Sequence, residues 1–541
     1  MHLPDRYTDL SYLDLLSYTF ENLSSYDQNQ SIYVDAHDET NHLSAFQIKK
    51  YVGRLISGFR AYGLKPGDCV FVHSFNNIWY TTLYLAIIGA GGCCASANPS
   101  YKTLEIIDLF TLAEAKFVVV EPELLPNILP AIKQYGLPLA NVFTFDMKTK
   151  TDSSGLTALG SFLTYAESDW VQFNDAKQAK ETVAALLFTS GTTGLPKAAA
   201  MSHFSLVSMN VAIRDPEPKP YEVNRLLCLP QFHSFNASLT HVAPLRDGHP
   251  IHIMRRFNLE HYIEYAQQHR ITETTMVPPI VMQIQAFCLK ERVSLSTLQL
   301  ILCAGSPLEK ELSKSMLKLL SPTARMYQVY GMSETGWITS LFYPQVDESG
   351  SVGRLLPNVE CKIVDENGAK VLEGCHGELL VHGPALMTGY LGNPEATKQA
   401  FVGSWLKTGD VGYMQQGMIY IVDRVKDMIK VRGWQVAPSE LEAHLRTHPA
   451  VADVGVVGIS LPDSLGELPA AYVVLKEPQI DRPVTADELI EYLGNRLSKI
   501  KALSGGIRFV DSIPRNVSGK ILRKELRQRA QQDFNISKTV D

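Results

Sequence analysis

Short apolar runs alternate with amphipathic segments along the first two thirds of the chain, and this alternation limits the fold more than any other feature. DCVFVHS (68–74), AKFVVVEP (115–122), NVFTFD (141–146), VAALLFTS (183–190), RLLCLP (225–230), TTMVPP (274–279) and LQLILCAG (298–305) read as buried strands bounded by turn residues. Helical patterns lie between several of them, such as LEHYIEYAQQH (259–269) and LEKELSKSMLKLL (308–320). Strands and helices in alternation imply α/β layers with largely parallel sheets.

The texture changes at Val359. VECKIVDENGAKV (359–371) holds an Asn367-Gly368 turn between apolar runs, which predicts a hairpin. GELLVHG (377–383) and GMIYIVD (417–423) extend a β-rich subdomain. It changes again after Asp423. A capping box, Ser439 with Glu442, precedes a short helix ended by Pro449. VADVGVVGI (451–459) and AAYVVLK (470–476) read as strands, Thr485 with Glu488 opens a second helix, and IRFVDSIP (507–514) reads as another strand. The expected fold is α/β: a large N-terminal domain of layered α/β subdomains plus the β-rich subdomain (1–422), a linker at 423–427, and a small α+β C-terminal domain (428–541).

At 541 residues the chain exceeds what one core supports. Its net charge of -6 gives no reason to expect nucleic acid or an acidic membrane surface as the main partner. The 8 cysteines show no C-x-x-C pair and no zinc-ligand spacing, so reduced, buried thiols are expected. The first thirty residues show no apolar h-region. The uncharged stretch from Ile78 to Ala97 is interrupted by threonines and a Gly-Gly pair. It reads as a buried helix and a strand, not as the ~20 apolar residues of a transmembrane segment. The chain ends KTVD, without the S-K-L peroxisomal address; a cytoplasmic location is expected, with the peroxisome left open.

FTSGTTGLPKAAAMSH, Phe188 to His203, follows the apolar run VAALL. Its glycines permit tight turns, its backbone N–H groups and hydroxyls can surround anionic oxygens, and Lys197 adds a positive charge. It does not match the Walker pattern G-x-x-x-x-G-K-[ST]. Asp410, after a glycine at the end of a β segment, offers a carboxylate that can accept both hydroxyls of a ribose. Glu334, between Ser333 and Thr335, suits a hard cation such as magnesium. By composition alone, Lys520 reads as a surface lysine, and His233 in PQFHSFN as a core histidine.

TSGTTGLPKAA resembles the phosphate loop of the adenylate-forming superfamily, which includes acyl-CoA synthetases, coumarate–CoA ligases, beetle luciferases and peptide-synthetase adenylation domains. Four further segments are similar to the family's motifs and follow in its order: YGMSETG (330–336), LKTGD ending at Asp410, DRVKDMIKVRGWQVAPSELE (423–442) and PRNVSGKILRKELR (514–527). The resemblance spans roughly residues 30 to 530. It implies that Thr189, Ser190, Gly191, Thr192, Thr193, Gly194 and Lys197 hold ATP phosphates. It places Gly305, Ser306, Pro307, Gln328, Tyr330, Gly331 and Ser333 at the adenine and its surroundings. Asp410, Arg424 and Lys426 fall at the ribose and hinge. Glu334 and Thr193 become magnesium ligands.

The resemblance further implies that the C-terminal domain is mobile. Lys520 bridges the substrate carboxylate and the α-phosphate for adenylation; the domain then turns about the hinge, and the face carrying Lys430 arrives for thioester formation. Arg432 and Gly433 would meet CoA, although the family's residue at 432 is lysine. His233, Ser234, Phe235 and Trp337 would wall the acyl pocket. Trp337 either points inward and shortens that pocket or packs outward into the core. It stands near a proline of the coumarate–CoA ligases, and Asn236 near a glycine, so a hydroxycinnamate substrate is not carried over.

The expected reaction joins a carboxylic acid to CoA, with ATP and Mg2+, through an acyl-AMP. Loading of a separate carrier protein and a luciferase-like oxygenation of the adenylate stay open as alternatives. A nucleotide-binding regulator without turnover is disfavoured by the intact pair Lys520 and Lys430.

Overall fold

The computed structural model describes residues 1–190, 196–431, 434–461, 466–476, 484–516 and 519–540. Among these residues, two large, mostly parallel sheets form the body. One has eight strands in the order Gly389–Tyr390, Pro196–Ser202, Val183–Ser190, Cys93–Ser96, Cys69–His73, Ala115–Val120, Val142–Thr144, Thr157–Ala158. The other has seven, in the order Arg325–Gln328, Leu300–Cys303, Glu273–Met276, Arg225–Leu227, Ile251–Ile253, Ser31–Asp35, His42–Ser44.

The helices Ala45–Ala61 and Tyr80–Gly89 lie between the sheets. They share a core with Val70 and Val72 of one sheet and Tyr33, Leu227 and Ile251 of the other. Burial on both faces explains why these strands are continuous apolar runs rather than alternating ones. The Ile78–Ala97 segment is the helix Tyr80–Gly89 and the strand Cys93–Ser96. Among the described residues, no helix is long and apolar enough to cross a membrane.

A five-stranded antiparallel sheet follows, with Trp405–Gln415 paired on one side to Gly377–His382 and on the other to Met418–Arg424. The Asn367-Gly368 turn is present: Asp365 N–H donates to Ala369 O at 2.8 Å, and Gly368 has a φ of +78°. The strand Met418–Arg424 belongs to this sheet, whereas Ile429–Val431 pairs with Trp434–Val436 in the C-terminal unit. The chain therefore crosses between the two units at 425–428. The C-terminal unit packs the helix Pro438–Arg446 and the helix beginning at Arg523 on the strands Val451–Ser460 and Glu467–Leu475.

Two expectations need correction. The Ser439–Glu442 capping box does not form. Ala437 is the N-cap residue and Pro438 the first helical residue. Ser439 N–H donates to Asp423 Oδ2 at 2.9 Å, and Ser439 Oγ donates to Val422 O at 2.6 Å. Glu442 instead takes a bidentate ion pair from Arg523 at 2.7 and 2.8 Å and the Val456 N–H at 2.8 Å. A carboxylate supplied by tertiary structure caps the helix, and the glutamate is drawn inward by an arginine. The cysteines are all unpaired, but Cys375 is exposed while the other seven are buried.

One buried ion cluster joins a loop to the first residues of two interior strands of the seven-stranded sheet. Glu273 accepts from Lys219, from Arg225 Nε at 3.0 Å and from Tyr221 OH at 3.0 Å. Burial alone would raise its carboxyl pKa, but Arg225 and Lys219 outweigh that and hold it at about 2. The folded value lies below the ordinary 4.5, so this stabilisation is present above about 4.5 and fades as pH falls toward 2. Glu273→Gln leaves the buried Arg225 guanidinium without its carboxylate and Lys219 with Asp215 alone, at 2.9 Å, and is expected to destabilise by about 3–5 kcal/mol at neutral pH. Urea denaturation at pH 7 and pH 3 checks this, and the difference between variant and wild type should narrow at pH 3.

Candidate functional site

The site lies where the two large sheets, the antiparallel sheet and the C-terminal unit meet. Strands Val183–Ser190 and Pro196–Ser202 pair antiparallel up to Ser190 opposite Pro196, so they carry Thr189 and Lys197 side by side to the start and end of the loop. Gly191, Thr192, Thr193 and Gly194 lie outside the described residues, as do Arg432 and Gly433.

YGMSETG forms a hairpin, with Tyr330–Met332 paired to Gly336–Ser340. Gly331 is glycine for a local reason: a Cβ there would stand 2.2 Å from the Gly336 carbonyl oxygen. This close approach holds Tyr330 and Glu334 in fixed places. Tyr330 OH donates to Asp410 Oδ2 at 2.7 Å. Asp410 is buried, its N–H donates to Thr408 Oγ1 at 3.1 Å, and Arg424 stands opposite it in the ladder with Nε 3.5 Å from Oδ1.

Gly305, Ser306 and Pro307 follow the strand Leu300–Cys303 in a loop that turns through Gly305 at φ +93°. Gln328 braces that loop. Its Oε1 accepts from Leu308 N at 2.7 Å, and its Nε2 donates to the carbonyls of Gly350 and Ser351 at 3.2 Å each. Its side-chain contacts are therefore within the protein.

Glu334 is buried and accepts from Tyr390 OH at 2.9 Å through Oε1, while Lys197 Nζ sits 4.8 Å from the centre of the Tyr390 ring. Tyr390 thus links the loop lysine to the acid. Sequence reasoning missed it, because Tyr390 lies 56 positions beyond Glu334, on the two-residue strand Gly389–Tyr390 with no motif around it. Among the described residues, only Oε1 of this carboxylate is engaged. A buried carboxylate with an oxygen to spare, beside the phosphate-loop strands, fits magnesium, and Glu334 would hold it. When bound, the ion neutralises phosphate charge.

The clustered groups Glu39, His252 and His269 do not fit a metal. Their ligand atoms lie within 4.8 Å of one another, but the two imidazoles stack at 4.4 Å and 13°. Parallel rings direct their lone pairs along parallel lines, which do not converge on one ion.

Lys520 is delivered from the C-terminal unit. Arg515 Nη1 donates to Gly519 O at 2.8 Å while its Nη2 holds Asp453 at 2.8 Å, and Lys520 N–H donates to Asn516 Oδ1 at 2.9 Å. Gly519, at φ +78°, lies so close to the N-terminal body that a Cβ would stand 2.8 Å from Pro279 Cγ. Lys520 thereby enters the electrostatic field of Arg424, Asp410, Asp427 and Lys426. Burial and the Arg424 guanidinium push its ammonium down to about 8, against the pull of Asp410 and Asp427. Lys430 is elsewhere: its side chain is exposed on the hairpin Ile429–Val431/Trp434–Val436, and its N–H donates to Glu467 Oε2 at 2.9 Å.

His233 is the N-cap of the helix Ser234–His241, and its Nδ1 accepts from Phe235 N at 3.3 Å. The proton of the neutral ring then sits on Nε2, and burial lowers the pKa. Next to it opens a pocket, with about 610 Å³ of atom-free space when the open solvent at its mouth is included. Its walls include Tyr84, Leu206, Met209, Ser234, Ser238 and Gly336. Gly336 forms the wall where the hairpin passes, while the neighbouring Trp337 is buried in the core. The indole packs on Phe235 at 5.5 Å and donates through Nε1 to Phe235 O at 3.0 Å. Of the four expected wall residues, Ser234 reaches the cavity surface; Phe235 and Trp337 stand behind it.

Family comparison agrees with this arrangement. The model of the AMP-binding enzyme matches residues 21–391, and that of the AMP-binding enzyme C-terminal domain matches 440–520. The chain belongs to the AMP-binding enzyme family. It is 39% identical to the acyl-CoA ligase azaF of Aspergillus niger over 96% of this chain and 98% of that one. It is 39% identical to the phenylacetyl-CoA ligase epaB of Aspergillus niger over 96% and 97%. The fold superposes on ATP-bound MatB from Rhodopseudomonas palustris with a TM-score of 0.82 at 25% identity, covering 96% of this chain and 99% of that one.

The setting of Lys520 has a measurable consequence. The folded protein holds it near 8, below the ordinary 10.5, so between those values the unfolded chain binds more protons and stability rises with pH. In urea denaturation, wild type is expected to gain on Lys520→Met from pH 8 to pH 10.

Proposed function

We infer that this chain is an ATP-dependent acyl-CoA ligase. A carboxylate attacks the α-phosphate of ATP, giving acyl-AMP and pyrophosphate. The thiol of CoA then attacks the acyl carbon, giving acyl-CoA and AMP. AMP is a far better leaving group than the oxide of a free carboxylate, so one hard displacement becomes two easier ones.

The observation that carries this reading is that the loop of Lys520 presses on the other unit at Pro279, which sets its ammonium within the field of Asp410. A cation carried on one body arrives at a carboxylate suited to a ribose on the other. A carboxylate approaching a phosphate meets like-charge repulsion, and a positioned ammonium in a dry site offsets it. We propose that Lys520 has this role, that Thr189, Ser190 and Lys197 face the phosphates, and that Tyr330 and Gly305–Pro307 frame the adenine. Glu334 would hold magnesium, and Asp410 the ribose.

The proposed domain organisation is an N-terminal AMP-binding body through the strand Met418–Arg424, a hinge at 425–428 and a mobile C-terminal domain. Two of its polar contacts with the body, both away from the hinge, support mobility. Arg446 with Glu309, at 3.1 Å, and Gln435 with Glu366, at 2.5 Å, involve partly or fully exposed side chains, and such pairs hold weakly. Rotation about this hinge would withdraw Lys520 and bring in the face bearing Lys430, which stands exposed in this arrangement, together with Arg432 and Gly433 for CoA. His233, neutral and beside the cavity mouth, is assigned to the passage between acid and thiol. A cytoplasmic location is the simplest setting for a reaction that draws on ATP and CoA.

Half-reaction kinetics test the two lysines. Lys520→Ala is expected to slow pyrophosphate release by about 10²–10³-fold while leaving thioester formation from preformed acyl-AMP largely intact. Lys430→Ala is expected to do the reverse. Equal loss in both half-reactions for both variants would refute the assignment.

A further inference from the structure

Gln231 stands in the wall of the cavity beside His233 and is 1% exposed. Its backbone is fully engaged: the N–H donates to Asn76 Oδ1 at 2.8 Å, and the carbonyl accepts from His241 Nε2 at 3.2 Å. Its side-chain amide is only half engaged. Oε1 accepts from Asn77 N at 2.8 Å, whereas Nε2 has no partner among the described residues. The Asn77 N–H can only donate, so the amide cannot be turned round without placing two donors face to face. Two N–H bonds of a buried amide are thus left without an acceptor inside the protein.

Two neighbouring polar side chains, those of His241 and Asn76, are satisfied within the protein. The Gln231 carbonyl can only accept, so His241 carries its proton on Nε2; its Nδ1 then accepts from Thr81 Oγ1 at 2.8 Å. The same ring stacks on Tyr84 at 4.4 Å, and burial pulls its pKa down to about 4, so it is neutral at physiological pH. Asn76 Nδ2 is held by the carbonyls of Leu229 and Met254, at 2.9 and 3.0 Å. Among the described residues, the cavity wall carries no Lys, Arg, Asp or Glu. A second carboxylate on the substrate would be an unpaired charge in an apolar space, which is strongly disfavoured.

We propose that the acid activated by this protein is a monocarboxylic acid with an uncharged, mainly apolar tail bearing one hydrogen-bond acceptor, such as a ring nitrogen or a ketone oxygen, received by Gln231 Nε2. The proposal rests on the ligase reading and deepens it. The reacting carboxylate faces the Lys520 side, and the tail enters between the two sheets, past Ser234 and Gly336. Gln231 is a specificity-determining residue: it selects the tail and leaves the chemistry to other groups. A site with a buried donor discriminates against an analogue that cannot satisfy it far more strongly than an apolar wall discriminates between hydrocarbons.

Pyrophosphate release with ATP and CoA, measured as kcat/KM on matched acids, tests this. Phenylacetic acid is compared with the three pyridylacetic acids, and straight-chain acids of equal length are compared with and without one internal ketone. At least one acceptor-bearing acid is expected to exceed its carbon counterpart by tenfold or more. Gln231→Met, similar in length but without the amide, is expected to bring that ratio close to one. A tenfold preference retained by the variant would overturn the proposal. So would a wild type that prefers no acceptor-bearing acid, the result expected if a resident water satisfies the amide with every acid alike. A preference for a dicarboxylic acid would also overturn it. If Gln231→Met does not fold, the wild-type ratios decide alone. Release with phenylacetic or straight-chain acids but no preference defeats this proposal and leaves the ligase reading standing; no release with any acid defeats both.

Discussion

Asp410 is the carboxylate on which three parts of the molecule depend. Tyr330 from the hairpin donates to one of its oxygens, Arg424 at the end of the last strand of the body stands against the other, and its charge acts on Lys520 of the C-terminal unit. A buried carboxylate needs partners, and these come from positions 330, 424 and 520. This one requirement brings the hairpin, the linker and the C-terminal loop into register. It is also why the lysine can be buried next to an arginine: Asp410 and Asp427 hold part of the charge that would otherwise expel it.

The site divides electrically. On the side of the hairpin and the C-terminal loop, Lys197, Glu334, Asp410, Arg424 and Lys520 form a charged half suited to phosphates, ribose and a metal ion. Between the two large sheets the walls are mainly apolar and uncharged, and their polar groups include a neutral His241 and the half-bonded amide of Gln231. An acid with a neutral tail matches this division: its carboxylate meets the charges, and its tail meets the cavity. Gly336 sits at the boundary, where the hairpin becomes part of the cavity wall.

Much of the fold was legible because strands buried on both faces must be apolar throughout. DCVFVHS, AKFVVVEP, VAALLFTS and LQLILCAG therefore announced themselves without any partner. The hairpin at Asn367-Gly368 was legible because its turn demands a positive φ. The residues of the charged half could be named from local motifs, because Asp410, Glu334 and Lys520 each sit in a dense run of unusual residues. Other features had no local signature. Ser439 looked like a cap, but Asp423 from the preceding strand does the capping and Arg523 takes Glu442. Tyr390 became a partner of Glu334 only when the short strand Gly389–Tyr390 paired with Pro196–Ser202. The orientation of Trp337 depended on which face of a short strand met Met209 and Phe235.

The sequence by itself determined the layers, the family and the identity of the charged groups, because strand burial, turn geometry and phosphate chemistry each impose a residue type at a known spacing. Tertiary structure alone decided which of those groups meet. Lys520 is a surface lysine in sequence and a cation with a lowered pKa in space, because Gly519 lets its loop press against Pro279. Gln231 is an ordinary polar residue in sequence and an unsatisfied donor in space, because Asn77 takes one end of its amide and no acceptor among the described residues meets the other. Charge pairing, desolvation and hydrogen-bond satisfaction depend on distance and exposure, and those exist only once the chain has folded.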